Sequence, residues 1–135
     1  MQSILEKRKP WFQVVMQAYK LLDMKENWDG HGAKPINCNS FMSINFLLLV
    51  LSMRCEDFFE ACPVPMSDGN IQVEWNINGA KLEVECHPDE KFHMLYVPSE
   101  NGVPIDNDEL WEESDIEGVE EAASAVKLYF NRMMG

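Results

Sequence analysis

Ile71-Gln72-Val73-Glu74-Trp75-Asn76-Ile77-Asn78-Gly79-Ala80-Lys81-Leu82-Glu83-Val84-Glu85-Cys86-His87 is the stretch whose reading decides the fold. Apolar Ile71, Val73, Trp75 and Ile77 alternate with polar Gln72, Glu74 and Asn76, and the same period of two returns at Leu82, Val84 and Cys86. Such alternation marks strands with one buried face and one wet face. Asn78-Gly79 between the two runs is a strong type I′ hairpin signal. Working outward, Ser67-Asp68-Gly69 leads in, and His87-Pro88-Asp89-Glu90 turns the chain into a third alternating run, Phe92 to Val97. Asn101-Gly102 offers a turn into a fourth, weaker strand at Val103 to Ile105.

Helical periodicity flanks this meander. Pro10 suits a first helical turn, and Trp11, Val14, Val15, Ala18, Leu21 and Leu22 recur at steps of three and four, which predicts a helix over 10–26 after a basic N-terminal turn, 1–9. A second helix is expected from Asn39 or Ser40, with Phe41, Ile44, Leu48, Leu51, Cys55 and Phe58 on one face; Cys62-Pro63-Val64-Pro65 is read as its terminator. Met42, Phe46, Leu49 and Met53 make that helix apolar nearly all round, so it must be covered on more than one side. A last helix over 116–133 presents Val119, Ala122, Ala123, Val126 and Phe130. The order predicts one α+β domain over 1–135: two N-terminal helices, a three- or four-stranded antiparallel meander and a C-terminal helix, all helices on one sheet face. Residues 100–115 are read as an acidic loop.

The chain has 135 residues, 46% of them hydrophobic, which is enough for a real core without disulfides. Eleven basic against 23 acidic residues leave a net charge of −12. Residues 1–38 hold six basic and four acidic side chains, so the remaining 97 carry −14. This balance argues against direct nucleic-acid binding and against attachment to an anionic membrane by charge; the expected partner is a protein with a basic surface. No apolar run reaches the length of a spanning helix, and the N-terminus lacks the apolar region of a secretory signal, so a cytoplasmic protein is expected.

Cys38, Cys55, Cys62 and Cys86 match neither a CxxC redox pair nor zinc-knuckle spacing, and are read as reduced thiols. Cys86, His87 and His93 with Glu83 or Glu85 are metal-ligating types, yet alternation sends Cys86 and His87 to opposite faces. The same argument removes a Cys-His nucleophile. No metal, cofactor or catalytic residue is therefore expected.

Asn27-Trp28-Asp29-Gly30-His31-Gly32-Ala33-Lys34-Pro35 is the most distinctive local string. Asn27 can close the first helix in the left-handed region, Gly30 and Gly32 permit positive φ, Asp29 can form an Asx-turn and Trp28 can plug the loop onto the core. The reading is a structural loop; a ligand or catalytic site spanning Trp28 to Lys34, using Asp29 and His31, is the alternative. Together with Pro63-x-Pro65, Asp68-Gly69-x-Ile71-x-x-Glu74-Trp75 and Leu82-Glu83-Val84-Glu85, this string resembles a group of short uncharacterised bacterial and phage or mobile-element proteins. The resemblance covers roughly residues 10–98. It implies a shared fold and a mobile-element source, and it carries over no catalytic residues.

Ten carboxylates and no Lys or Arg occupy residues 100–121. Acids near a helix start are worth only about 0.3 to 1 kcal/mol each, which suits Asp115 and Glu117 but not ten residues. A basic partner would relieve the self-repulsion and speed encounter. The expected docking residues are Asp106, Asp108, Glu109, Glu112, Glu113, Asp115 and Glu117 around the apolar anchor Trp111, with Glu74, Glu83 and Glu85 on the outer sheet face. The function these imply is a non-enzymatic inhibitor, a nucleic-acid mimic of the counter-defence or antitoxin kind. A homo-oligomer built on Phe130, Met133 and Met134 is a third reading.

Overall fold

A computed structural model describes residues 3–135. Three helices, α1 (Ile4–Lys20), α2 (Cys38–Arg54) and α3 (Val119–Met134), lie against one face of a five-stranded antiparallel sheet. The strands are β1 (Ala61–Pro65), β2 (Ile71–Ile77), β3 (Ala80–His87), β4 (Lys91–Val97) and β7 (Glu112–Glu117), in that spatial order. Two short strands, β5 (Ser99–Glu100) and β6 (Val103–Pro104), form a separate ribbon between β4 and β7. The α+β class and the antiparallel meander at its centre are as the alternation predicted.

Several boundaries differ from expectation. The sheet has five strands because Cys62-Pro63-Val64-Pro65, read as a helix stop, is the edge strand β1. Proline lacks the ladder donor and is tolerated where its nitrogen faces away from the partner, so an edge accepts Pro63 and Pro65. The turn at Asn101-Gly102 forms, but Val103–Pro104 pairs with Ser99–Glu100 and does not join the main sheet. The acidic loop is largely ordered: Asp108–Leu110 is one 3-10 turn, and Glu112–Glu117 is the second edge strand. Ile116 and the acids beside it therefore belong to β7, and α3 begins at Val119.

The first helix starts earlier and ends earlier than its apolar stripe suggested. Ser3 caps it by accepting from the Glu6 N–H (3.1 Å), so the basic stretch is helical from Ile4 onward and Pro10 lies inside the helix. Pro10 leaves the carbonyl of Glu6 without its helical donor, at a position where Glu6 is exposed. A 3-10 turn, Leu21–Asp23, ends the element. Asn37, two residues ahead of Asn39 and three ahead of Ser40, accepts from the Asn39 N–H and starts α2, which stops at Arg54.

Core-facing residues of the central strands are buried: Ile71, Val73 and Trp75; Leu82, Val84 and Cys86; Phe92, Met94 and Tyr96. Ile77, at the hairpin end, is half-buried against the same core. The central helix α2 sits over β2 and β3 between α1 and α3. Two of its serines tie it to the sheet. Buried Ser40 donates to the Cys86 carbonyl and accepts from the Ile71 N–H (2.9 Å). Ser43 donates to the His87 carbonyl (2.7 Å) and accepts from the Glu90 N–H (3.1 Å). Glu90 then reaches α3, its carbonyl accepting from Gly118 (2.8 Å) and its carboxylate from Val119 (3.2 Å). One turn thus holds α2, β3, β4 and α3 in fixed relation.

Removing the Ser40 hydroxyl strands a buried acceptor at Cys86 and a buried donor at Ile71. Ser40→Ala should lower unfolding stability by about 2–3 kcal/mol, read from urea denaturation. Ser52→Ala, whose hydroxyl only back-bonds to Leu49 within its own helix (2.6 Å), should cost well under half of that.

Candidate functional site

Cross-strand register writes the outer face of the sheet row by row. One row runs Cys62, Glu74, Glu83, Leu95, Glu113; the next runs Val64, Gln72, Glu85, His93, Asp115. A third places His87 opposite Lys91 and Lys91 opposite Glu117. Since β7 pairs with β4, the carboxylates of the meander and three from the acidic stretch, Glu113, Asp115 and Glu117, share one continuous face. Adjacent strands lie about 4.8 Å apart, so Glu83 and Glu113 are roughly 10 Å from each other with half-buried Leu95 between them.

The register divides the acids anticipated as docking residues. Glu74, Glu83, Glu85, Glu113, Asp115 and Glu117 line the outer face. Glu112 has the opposite parity and turns to the helix side, where Arg132 donates to both its oxygens at 3.1 and 2.5 Å. Arg132 also lies over the stacked rings of Tyr96 and Tyr129, 4.7 and 5.5 Å from their centroids. That engagement holds the Glu112 carboxyl below the usual range. Asp106, Asp108 and Glu109 sit on the exposed segment between β6 and β7. Trp111 is 37% exposed, and its Nε1 donates to the Ile105 carbonyl (2.8 Å), clasping that segment.

Charge on the outer face is unevenly compensated. Glu74 and Glu83 are direct cross-strand neighbours, a like-charge pairing that destabilises a sheet. Partial burial, then repulsion from Glu74, raise the Glu83 pKa against the opposing pull of Lys81. Glu85 is raised by burial and by Asp68 beside it. Asp68, despite some burial, is held low by hydrogen bonds from the Asn70 N–H and from its neighbours. Buried Asn70 organises this corner, its Nδ2 lying 3.3 Å from Asp68, 3.5 Å from Glu85 and 3.0 Å from His87 Nδ1. His93 Nδ1 meets Asp115 at 2.8 Å. The register, absent from a one-dimensional reading, is what assembles Asp68, Asn70, His87 and His93 with the glutamates.

The Asn27–Pro35 loop is a closed hydrogen-bonded unit. Asn27 takes φ +62°, its N–H donates to Ala33 (2.7 Å), and its side-chain oxygen accepts from Gly32 (2.7 Å). Asp29 accepts from the His31 and Ala33 N–H groups (2.8 and 3.1 Å), and Trp28 Nε1 donates to Lys34 (2.9 Å). The His31 N–H chiefly accounts for the lowered Asp29 pKa. Gly30 and Gly32 both adopt positive φ. The loop is tied to the sheet entry, Lys34 donating to Ser67 and Asn37 to Gly69 (2.9 and 2.7 Å). Cys86 is fully buried, which pushes its thiol pKa far up, while His87 projects to the other face. A hollow of about 400 Å³ at the edge of the acidic face, between the β3–β4 turn and β7, is lined in part by His87, Lys91, Asp115 and Glu117.

A glutamate whose folded pKa is raised weakens the fold at neutral pH, and that penalty is relieved as pH falls from 7 through the raised value toward the ordinary 4.5. Glu83→Gln should therefore stabilise the protein at pH 7 by a few tenths of a kcal/mol after solvent screening, with the gain vanishing near pH 4. Paired urea titrations at the two pH values check it. No protein-family model, curated protein or solved structure matches this chain, so its functional reading rests on the surfaces described above.

Proposed function

We propose that the protein is a non-enzymatic, cytoplasmic interaction module that sets its carboxylate-lined sheet face against a basic protein surface. The observation that carries this reading is the pairing of β7 with β4, which aligns Glu113, Asp115 and Glu117 with Glu74, Glu83 and Glu85. Among the described residues, Lys81 and Lys91 are the lysines on that face, with His87 and His93 beside Glu85 and Asp115. Carboxylates held on a rigid sheet at like-charge spacing are costly when alone and are relieved by a cationic partner, which also accelerates encounter. Half-buried Leu95, between Glu83 and Glu113, gives the face an apolar centre of the kind that interfaces use.

A rigid array of negative charge is suited to occupying a groove built for phosphates. The partner class that fits is a nucleic-acid-handling protein, with this chain as an inhibitor that blocks the groove; a phage or mobile-element source agrees with the sequence resemblance. Asp106, Asp108 and Glu109, exposed beside the face, extend its field without belonging to its rows.

Affinity capture from the native host with wild type and with Glu74→Gln/Glu83→Gln/Glu113→Gln tests the proposal. Wild type should retain a basic, nucleic-acid-handling protein that elutes between low and moderate salt. The triple variant, still folded, should lose it. Equal capture by both proteins, or a captured partner insensitive to salt, would overturn the assignment of this face.

A further inference from the structure

The opposite side of the molecule carries a second unassigned surface. Along α1, Phe12, Met16 and Tyr19 point outward with 41–56% of their surface exposed. Along α2, Met42, Phe46, Leu49 and Met53 recur at steps of four, three and four and remain 39–54% exposed. The two helices pack antiparallel: Tyr19 near the end of α1 meets Phe41 near the start of α2, with ring centroids 5.7 Å apart. At the other end Ile4, Lys7 and Arg8 border Ser52–Glu56. Each of these side chains offers up to roughly 200 Å², so about 650 Å² of apolar surface lies open, more than a typical monomer exposes in one patch.

The occupant is indicated by area. Two such faces meeting would bury roughly 1,300 Å² in total, within the range of stable protein interfaces. A two-fold axis parallel to α2 and passing between α1 and α2 lays α1 of one copy over α2 of the other and brings the two apolar faces together.

We propose that this apolar face receives a second copy of the chain, forming a two-fold dimer through α1 and α2 with both acidic sheet faces directed outward. The dimer is independent of what the acidic face binds. It also moves self-association away from Phe130 and Met133, which are buried at 2% and 4% exposure and face the chain's own core.

Sedimentation equilibrium of the full chain decides it. Wild type should run at twice the mass of one chain at tens of micromolar, and Phe46→Glu at one chain mass with unchanged circular dichroism. Wild type at single-chain mass up to about 100 μM would overturn the proposal, as would dimerisation of Phe46→Glu. A single-chain mass combined with flotation on phosphatidylserine vesicles would instead assign the face to a membrane surface.

Discussion

Everything on the two sheet faces follows from the register of the β2–β3 hairpin. Asn78 and Gly79 take φ +53° and +85°, the pair of left-handed residues that a two-residue hairpin turn of matching twist requires. A slip of one residue would move Ile71, Val73, Trp75, Leu82 and Val84 to water and place Glu74, Glu83 and Glu85 under α2. Gly79 is fixed for a second reason: a side chain there would collide with the Gly102 carbonyl of the β5–β6 ribbon, 2.2 Å from the position of an added Cβ. The turn that sets the register also seats the ribbon leading to β7.

The helix layer enforces the same register from above. Ser40 bonds the first residue of β2 and a carbonyl near the end of β3, so α2 reads the hairpin's alignment directly. Ser43 and Glu90 pass that alignment to β4 and α3. Glu90 holds φ +55°, an unusual backbone for a glutamate, and its three hydrogen bonds across α2 and α3 offset the strain. Both open edges are guarded, β1 by Pro63 and Pro65 and β7 by its run of acids. The product is a two-layer plate with carboxylates on one side and an apolar strip on the other.

The sequence made the plate's centre legible and left its borders obscure. Alternation located β2, β3 and β4 because one face of each is buried along almost its whole length. Strand β1 was hidden by its prolines, which look the same at a helix end and at a sheet edge. Strand β7 was hidden by composition: Glu-Glu-Ser-Asp-Ile-Glu has a single apolar residue, and Ile116 also fits the stripe of α3. Its signal was the faint alternation of Ser114 and Ile116 with Glu113, Asp115 and Glu117. At the N-terminus, Ser3-Ile4-Leu5-Glu6 has the form of a capping box and marked the true start of α1. The acidic face was legible only as scattered residues, since its unity depends on a pairing between β4 and β7 that no local pattern encodes. The apolar strip was half legible, because α2 was recognisably apolar all round while the side left bare depended on where α1 and α3 settled.

The central claim is that β7 completes the sheet and joins two groups of carboxylates on one face. Solution NMR of the isotope-labelled chain tests it most directly, through cross-strand nuclear Overhauser contacts and amide exchange over Glu112–Glu117. The account predicts contacts in the Leu95–Glu113 and His93–Asp115 register, with slowed exchange at the β7 amides that bond to β4. Freely exchanging amides across 112–117 with no contact to β4, or contacts shifted by one residue, would contradict it.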